Sequence, residues 1–544
     1  MKTKIYLLVV FALLAETQLV KATNWFVKAN VTESGEGTSW DSPVSGADFS
    51  SALAAGFFEE GDVVYMTGGT YLPGVAGDSF QVINGITIKG GYPSNLHGTE
   101  TPELTYPTEN PTIFSGDLNG DGIANSGDIQ NIMYISSPSP VTIQGIQFTC
   151  AYYEGTDDYE AGAVLVYNTE TVIKNCTFEK NTSTYNGGSA LANQGSKVHV
   201  IDCIFTNNSA MSKGGATRLS SATINDIKIY PVSVFERCLF EGNSNSLTST
   251  GKYGGAIQIT SGTCWLINST VMNNKAFSNG AGISVGDGYS LYVISSTLAN
   301  NTCSRIGLDA SKPYSYGSSI RMEKTANIHI ANSICVEVSD EGTKTNPTFY
   351  TEGLTQNASE LIISGGNNAL GTFLVANASY DDQFSAIWKG TDMNGQQFAD
   401  VFGSNILTGQ GGFSNTIATN PTLEGATVSD LSALLTAWNC PVTADVTVDQ
   451  RGYSRSSITE VGAYDSKGSP ITSITKIPDT DSSALISLGN GRYSIKNNTS
   501  DVRIFNISGS MISTSDQNAV IDLSPLAQGI YFIVTSTASY KVIR

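Results

Sequence analysis

Residues 117–128 have the composition and spacing of a calcium-binding loop. Oxygen-bearing side chains stand at loop positions 1, 3, 5, 9 and 12, and a glycine stands at position 6. Calcium takes roughly 6–8 oxygen ligands, and the glycine permits the sharp turn that brings them together. We therefore expect a structural Ca²⁺ held by Asp117, Asn119, Asp121, the carbonyl of Ile123, Asn125 and Asp128.

The alternative for this segment is a turn rich in Asn, Asp and Gly that binds no metal. The loop is similar to the dockerin loop, which also has Asn at position 9 and Asp at position 12. It departs from that family because the chain has a single such loop with no amphipathic helix before it. A cohesin partner is therefore not expected.

A second group of candidate residues would contact sugars. Trp265 and Tyr292 hold equivalent positions in the repeat described below, on a column that we expect to face outward, where aromatic rings can stack on sugar rings. Arg218 and Arg321 are expected on the other outward column, at the positions of Leu165, Leu191, Gln258 and Ser284. A polysaccharide lyase needs a basic residue and neutralisation of a uronate, so these arginines are its candidates.

The histidines and cysteines suggest little chemistry. His199 and His329 fall in one column four coils apart, about 19 Å at ~4.8 Å per coil, so they cannot bind one metal. We expect both to be exposed strand residues. Cys176, Cys203 and Cys238 share a column whose later members are Ser, which favours small buried packing over disulfides. The chain has no Cys-x-x-Cys motif, so a zinc ribbon is excluded.

The elements that position these residues are the coils of a repeat. Around anchors at 176, 203, 238, 269, 296 and 333, an apolar residue recurs three positions before and two positions after the anchor. The anchors are 27, 35, 31, 27 and 37 residues apart, and a second short strand opening with Gly, Ala or Ser precedes each. Such a period indicates a solenoid in which each coil buries its apolar column against the next. Asparagines five positions after the first five anchors predict an amide ladder: Asn181, Asn208, Asn243, Asn274 and Asn301. We therefore predict an all-β, right-handed parallel β-helix.

These repeats resemble those of polymorphic outer-membrane proteins, which carry Gly-Gly-Ala-Ile and Phe-x-x-Asn. Residues 254–257 match the first motif, and residues 178–181, 205–208 and 240–243 match the second. The resemblance implies a surface-displayed β-helix and no particular chemistry.

Both ends of the solenoid also have sequence signals. Phe49, Leu53 and Phe57 form one apolar helical stripe, which predicts a helix capping the first coil. The opening 25–71 and the closing segments 365–368 and 449–464 resemble pectin-lyase-like β-helix proteins. We divide the region into a cap with first coils and the calcium-type loop (23–140), the repeats (141–340) and C-terminal coils (341–465).

The two chain ends indicate export. Residues 1–22 have a basic head, an apolar run and small residues at a cleavage site, as in a signal peptide, and no later stretch is apolar enough to span a membrane. After a linker at 466–481, residues 482–544 form a small β-sandwich unit. Its pieces at 491–495, 502–509, 521–533 and 541–544 resemble the type A C-terminal sorting domain of Bacteroidota. The resemblance implies type IX secretion machinery as a partner, anchoring to surface lipopolysaccharide, and display on the outer surface of a Gram-negative cell.

Composition limits the function classes. The formal net charge of −19 argues against nucleic-acid binding, which needs clustered Lys and Arg. With no recognisable catalytic acid–base pair, we expect a secreted surface protein for adhesion or glycan binding. The alternative is a polysaccharide lyase or hydrolase on the same scaffold.

Overall fold

The structure is a computed structural model. It describes residues 22–75, 77–104, 106–155, 162–185, 187–245, 253–277, 279–303, 317–337, 348–352, 358–375, 388–403, 416–419 and 422–470. In the C-terminal unit it describes residues 485–489, 492–495, 502–506, 511–515, 520–524, 526, 530–534 and 539–543. Residues 1–21 of the predicted signal peptide and most of the predicted linker lie outside these ranges.

The predicted all-β fold is confirmed, because the chain winds into coils whose strands stack in parallel. Each repeat coil contributes strands, in chain order, to sheets that we number 1 to 4. Sheet 1 contains Val44–Ser45, Asn24–Lys28, Val63–Thr67, Thr87–Tyr92, Val141–Gln144, Glu170–Lys174, Lys197–Ile201, Val232–Glu236, Thr263–Ile267, Ser290–Ile294, Asn327–Ala331 and Ile362–Gly366. Sheet 2 contains Gly69–Tyr71, Thr112–Ser115, Ile146–Thr149, Thr177–Glu179, Ile204–Thr206, Leu239–Glu241, Thr270–Met272, Thr297–Ala299, Ile334–Val336 and Ala369–Leu370.

The other two sheets complete the wall of the solenoid. Sheet 3 is short and contains Tyr152–Tyr153, Thr182–Ser183, Ser209–Ala210, Ser244–Asn245, Lys275–Ala276 and Thr302–Cys303. Sheet 4 contains Phe80–Val82, Met133–Ile135, Val164–Tyr167, Leu191–Gln194, Thr217–Ser220, Ile257–Ile259, Ile283–Val285, Ile320–Glu323, Phe349–Glu352 and Phe373–Val375. A hairpin, Ala222–Ile224 with Ile227–Ile229, interrupts the coil between sheets 4 and 1.

Inward-facing columns form one continuous core. Since side chains alternate along a strand, every second residue points inward, and parallel pairing places equivalent residues of successive coils above one another. Four inward phenylalanines of sheet 2 stack face to face, with ring centroids 5.0, 4.6 and 4.5 Å apart: Phe148, Phe178, Phe205 and Phe240. The buried thiols of Cys176, Cys203 and Cys238 occupy the anchor column, and all eight cysteines are free.

The predicted asparagine ladder is confirmed at the bend between sheets 2 and 3. The side-chain Nδ2 of each asparagine donates to Oδ1 of the next, at 2.9–3.0 Å, from Asn181 through Asn208, Asn243 and Asn274 to Asn301. Each Nδ2 also donates to a main-chain carbonyl, and each accepting Oδ1 receives a main-chain N–H from the preceding coil. All five side chains are buried, so the ladder satisfies polar groups that water cannot reach.

A buried glutamate ends the ladder. Glu337 accepts the main-chain N–H of Asn301 at 2.6 Å and the hydroxyl hydrogen of Ser319. Burial raises the pKa of Glu337 well above its usual value, although these hydrogen bonds oppose the rise. Counting five positions from the anchor at 333 leads to Val338, which has no amide to continue the ladder. Glu337, one residue earlier, accepts the hydrogen bond from Asn301 instead.

The predicted N-terminal helix is present but shorter than its stripe. Helix α1, Phe49–Ala54, buries Phe49 and Leu53 against the first coils. Phe57 lies beyond the helix and is 46% exposed, and Phe58 packs into the core instead. The chain turns at Gly56, which has a positive φ of 69°, so the helical stripe cannot continue to position 57.

Within the predicted C-terminal coils at 341–465, the described strands stack on the preceding coils as far as Val375. The described stacked strands end at Phe373–Val375, and helices α2, Ala358–Leu361, and α3, Phe398–Phe402, occur in this part of the chain. Residues 416–419 and 422–463 then run back over the outer faces of sheets 1 and 2, and we call them the cover. They contain helix α4, Val428–Ala437, and the antiparallel pair Glu424–Thr427 with Ile458–Glu460, and Tyr453–Ser454 pairs with Ser469–Pro470 beyond the cover.

Buried polar contacts fix the cover to the coils. The buried guanidinium of Arg455 donates to Oδ1 of Asn268 in the coils at 3.1 Å, and it also bonds to the carbonyl of Gly462 within the cover at 3.0 Å. Asn332 accepts the main-chain N–H of Ala426 at 2.8 Å through Oδ1. Because these partners are far apart in sequence, the cover is part of the folded solenoid.

The C-terminal unit is a separate set of short antiparallel strands. One sheet contains Leu485–Gly489, Arg492–Ile495 and Ile521–Asp522. The other contains Met511–Ser515, Val502–Asn506, Ile530–Val534 and Ser539–Ile543. Its own apolar cluster includes Val502, Ile504, Leu523 and Ile533.

We predict that Asn243→Ala, in the middle of the ladder, lowers the free energy of unfolding by about 1–3 kcal/mol, because its neighbours are left with unsatisfied buried groups. Denaturant unfolding followed by circular dichroism measures the change. Thr206→Ala, which removes an outward side chain of sheet 2, is the control and should change stability little. Equal effects of the two substitutions would contradict a stabilising ladder.

Candidate functional site

The predicted aromatic column exists but is not a surface platform. Trp265 stacks on Tyr292 with ring centroids 3.9 Å apart and an angle of 4° between planes, and Tyr292 stacks on His329 at 4.4 Å. The column lies outside the coil wall, as the alternation predicts. However, α4 and the residues after it cover it, and Trp265 is only 2% exposed. The expectation that Trp265 is accessible to a sugar is therefore wrong.

The two histidines of this column are also not simple exposed residues. His329 lies between Tyr292 and Trp438, whose ring centroid is 5.1 Å away. Burial lowers the pKa of His329 from 6.5 to about 4, so the ring is neutral in the folded protein near neutral pH. His199 bonds through Nε2 to the carboxylate of Glu236 at 3.0 Å.

Arg218 and Arg321 face outward from sheet 4 but are buried, with 4% and 2% exposure. Arg321 donates to Glu323 at 2.6 Å and lies 4.3 Å from the ring of Tyr253, so its charge is already paired. Neither arginine is accessible as a catalytic base or uronate ligand, and that expectation is wrong.

The sheet 4 register also corrects one residue. Ala192, and not Leu191, lies beside Leu165 and Arg218. Ala192 comes four residues after the glycine that opens its coil, whereas Leu165 and Arg218 come three residues after theirs. Leu191 points into the core.

The predicted calcium loop is folded as a compact turn. The carboxylate of Asp117 accepts main-chain N–H groups from Gly120 at 2.7 Å and Gly122 at 2.8 Å. Asp121 accepts the N–H of Ile123 at 2.8 Å, and Asn119 donates to Oδ1 of Asn125 at 3.2 Å.

Asp128 is the buried carboxylate of the loop and differs in this from Asp117 and Asp121. The carboxylate of Asp128 is buried and accepts the main-chain N–H of Leu118 and of Asn125, which ties the two ends of the loop together. Asp117 and Asp121 are more exposed, and Oδ2 of Asp117 and Oδ1 of Asp121 each accept one main-chain N–H, which leaves lone-pair capacity for a cation. The side chains of the loop offer oxygen donors, the kind that calcium takes.

An accessible groove lies on the outer face of sheet 1, ahead of the cover. Its volume is about 470 Å³. Three in-register residues of successive coils form its floor, Lys89, Gln144 and Lys174. One wall is the segment that includes Thr101, Glu103 and Tyr106, and the far end is formed by Asn175 and Asp202. We call this the sheet 1 groove.

Tyrosines give the groove a rigid side. The ammonium of Lys89 lies 5.7 Å from the ring centre of Tyr65, and the ring of Tyr65 meets that of Tyr92 edge-on at 5.4 Å. Burial raises the pKa of Tyr106 to about 12, so its hydroxyl stays protonated and can donate or accept a hydrogen bond.

A charge network closes the far end of the groove. Arg237 holds Asp202 with two bonds, Nε to Oδ1 at 2.7 Å and Nη2 to Oδ2 at 3.0 Å, and also contacts Glu236. Although burial alone would raise it, the hydrogen bond from His199 and the charge of Arg237 lower the pKa of Glu236. Asp202 and Glu236 are therefore both neutralised, while Lys89 and Lys174 have no ion-pair partner among the described residues.

One pattern in the sequence indicates this groove, although no motif marks it. Lys174 stands two positions before the anchor at 176, and Gln144 is its partner in the preceding coil, on an outward column parallel to that of Trp265. The same column continues as Ile201 and Glu236 and then, under the cover, as Ile267 and Ile294. The change from polar to apolar residues along this column indicates which part of the face stays open.

Metal and membrane features are sparse in the described part of the chain. Within the described ranges, no three His, Cys, Asp or Glu side chains come close enough together to hold a metal ion. No helix there is both long and apolar enough to cross a bilayer.

Comparison with known proteins accounts for the C-terminal unit. Residues 478–544 match the family of secretion system C-terminal sorting domains. This end of the chain is a type IX sorting domain. The protein is therefore secreted to the cell surface or beyond it, and the secretion machinery is a partner. The predicted unit at 482–544 lies inside the match.

The other comparisons are less specific. A crystal structure of pectate lyase Pel9A is similar to 61% of this chain and 79% of that one, with 15% identity and a TM-score of 0.29. The lyase activity belongs to that protein. No curated protein matches the chain. The resemblance to polymorphic outer-membrane-protein repeats stays a prediction.

We predict that the stability of the protein falls between pH 7 and pH 4.5 partly because of His329. The unfolded side chain takes up a proton near pH 6.5 and the folded one only near pH 4, so this contribution is complete above pH 6.5 and is lost as the pH falls. His329→Phe keeps the ring stack and should make the melting temperature less sensitive to acid than in the wild type. Tyr292→Phe, the control, should retain the wild-type sensitivity, and an unchanged pH dependence in His329→Phe would refute the assignment.

Proposed function

We propose that this is a surface-displayed glycan-binding protein that holds an acidic polysaccharide in the sheet 1 groove. The observation that supports it is the pair of lysines on the groove floor, two coils apart and without ion-pair partners among the described residues, in a chain of net charge −19. In so acidic a protein, two lysines without ion-pair partners on one concave polar surface favour an anionic ligand, and Glu103 on the wall offsets only one of the two charges.

The geometry suits an extended chain of sugars. Lys89 and Lys174 are separated by about 9.6 Å at ~4.8 Å per coil, with Gln144 between them to hydrogen-bond hydroxyls. The half-buried ring of Tyr106 on the wall offers an apolar edge and a hydroxyl, a combination that suits sugar rings. Display outside the cell, which the sorting domain provides, brings the groove to extracellular polysaccharides.

Binding without cleavage is the function that the charges support. The acidic side chain nearest the lysines at the far end, Asp202, is held by Arg237 and so is poorly placed to act as a base or to share a cation with a uronate. A lyase or hydrolase remains the alternative, in which Lys174 would be the accessible basic residue. Anchoring to lipopolysaccharide also remains a proposal.

We predict that the mature protein binds polygalacturonate or alginate and that Lys89→Gln with Lys174→Gln weakens this binding about fivefold to thirtyfold, since each exposed charge pair contributes up to ~1 kcal/mol. Isothermal titration at low and at physiological salt measures affinity, and the wild type should lose affinity as salt rises. Lys228→Gln, which removes an exposed charge on the hairpin, is the control.

The same samples are followed for new chain ends and for the ultraviolet absorbance of unsaturated uronates. Cleavage products that disappear in the Lys174 variant would replace the binding function with the lyase. Equal affinity of the double variant and the wild type would exclude the sheet 1 groove.

We also propose that loop 117–128 binds one structural Ca²⁺. Calcium in hundredfold excess over its Kd should stabilise the fold by about 2.7 kcal/mol relative to chelator, seen as a higher melting temperature. Asp117→Asn with Asp121→Asn should abolish the difference, and Asp226→Asn, an exposed turn acid elsewhere, should preserve it. If the wild type melts at the same temperature in calcium and in chelator, the loop binds no metal and is only a turn.

A further inference from the structure

A second concave surface lies on a different wall of the solenoid, where sheet 2 bends into sheet 3. Its volume is about 780 Å³ and it is lined by polar residues. Asn207, Asn273 and Asn300 follow the floor along successive coils, with Gly242 between the first two. We call this the polar trough. It spans four coils, about 14 Å at ~4.8 Å per coil.

The backbone conformation favours asparagine on the floor of the polar trough, and hydrogen bonds between side chains arrange the amides. Asn207, Asn273 and Asn300 have positive φ values of 54°, 60° and 51°, a conformation that asparagine tolerates better than most residues. Their side chains point away from the buried ladder. Outside the wall, Asn300 donates to Oδ1 of Asn273 at 2.7 Å, and Asn273 donates to Glu241 at 3.2 Å. This outer chain of bonds fixes the amides and leaves hydrogen-bonding groups facing the trough.

The walls of the polar trough carry hydroxyls and balanced charge. On the sheet 3 side, Ser244, Lys275 and Thr302 are in register on three coils. On the sheet 2 side, Thr206 pairs with Glu241. One ammonium and one carboxylate give the trough no net charge, and it has no aromatic lining. Such a surface both donates and accepts hydrogen bonds but does not favour either sign of charge.

Gly242 keeps the floor of the polar trough open. A Cβ added at Gly242 would come within 2.8 Å of Oδ1 of Asn207, so a side chain there would intrude on the amide row. The absence of a side chain at this one turn keeps the floor open between Asn207 and Asn273.

We propose that the polar trough binds a neutral, extended polysaccharide lying along the solenoid axis. Hydroxyls of successive sugars can bond to amides and hydroxyls that repeat once per coil. This site is independent of the sheet 1 groove, because it lies on other sheets and has no uncompensated pair of cations. Two sites with different charge preference on one rigid body would let the protein join two kinds of polysaccharide, and each would gain avidity from repeated display on a surface.

The test uses the mature full-length protein and affinity electrophoresis in gels that contain a soluble mixed-linkage β-glucan, a galactomannan or polygalacturonate. The test variant is Asn273→Gly with Asn300→Gly, since glycine keeps the positive φ and removes only the amides. Asn225→Gly, at a turn residue of the hairpin with φ of 50°, is the matched control. Melting temperatures confirm that all variants are folded.

We expect retention of the wild type by at least one neutral polysaccharide, and a loss of that affinity of about tenfold or more in the double glycine variant. The control and the Lys89→Gln/Lys174→Gln variant should bind the neutral chain as the wild type does. The proposal is overturned if neither neutral chain retains the wild type, if the double glycine variant is retained equally, or if the lysine variant loses the neutral chain. Loss of polygalacturonate binding alone bears on the sheet 1 groove and not on the trough.

Discussion

A row of buried asparagine amides sets the register on which every surface of this protein depends. Each amide from Asn181 to Asn274 donates to the amide of the next coil, and each amide from Asn181 to Asn301 also bonds to main-chain groups of the preceding coil. A shift of one residue in any coil would break the amide chain and would also turn the inward columns outward. Because the interior is closed to water, such a shift would leave polar groups unsatisfied. The outward columns therefore occur at fixed intervals along the axis.

The regular spacing alone does not decide which outward side chains meet solvent. Trp265, Tyr292 and His329 stack as parallel pairing requires, yet helix α4 and the residues after it pack over this column. Arg455 of the cover bonds to Asn268 of the coils, and Ala426 of the cover bonds to Asn332 of the coils, so the late coils are sealed on sheets 1 and 2. The early coils of sheet 1 and the bend between sheets 2 and 3 stay open. Both proposed binding surfaces lie in these open parts.

Charge distinguishes the two open surfaces from each other and from the rest of the chain. In the sheet 1 groove, Arg237 neutralises Asp202 at the far end, and Lys89 and Lys174 have no ion-pair partner among the described residues, so their charge is available to a ligand. In the polar trough, Lys275 and Glu241 balance each other, and an ordered amide row supplies the hydrogen bonds. A strongly acidic protein repels anionic polymers over most of its surface, so a local site for one must be built from uncompensated cations.

The sequence by itself determined the coils, the amide ladder, the outward position of the Trp265 column and the sorting domain. These are local or periodic features, in which each residue is identified by its spacing from an anchor such as Cys176. It did not determine that the cover folds back over the coils, because the partners of its residues, among them Asn268 and Asn332, are more than ninety residues away and follow no period. Tertiary structure alone decided that Trp265, Arg218 and Arg321 are buried while Lys174 is open. Accessibility depends on what packs over a side chain, and the repeat records only which way that side chain points.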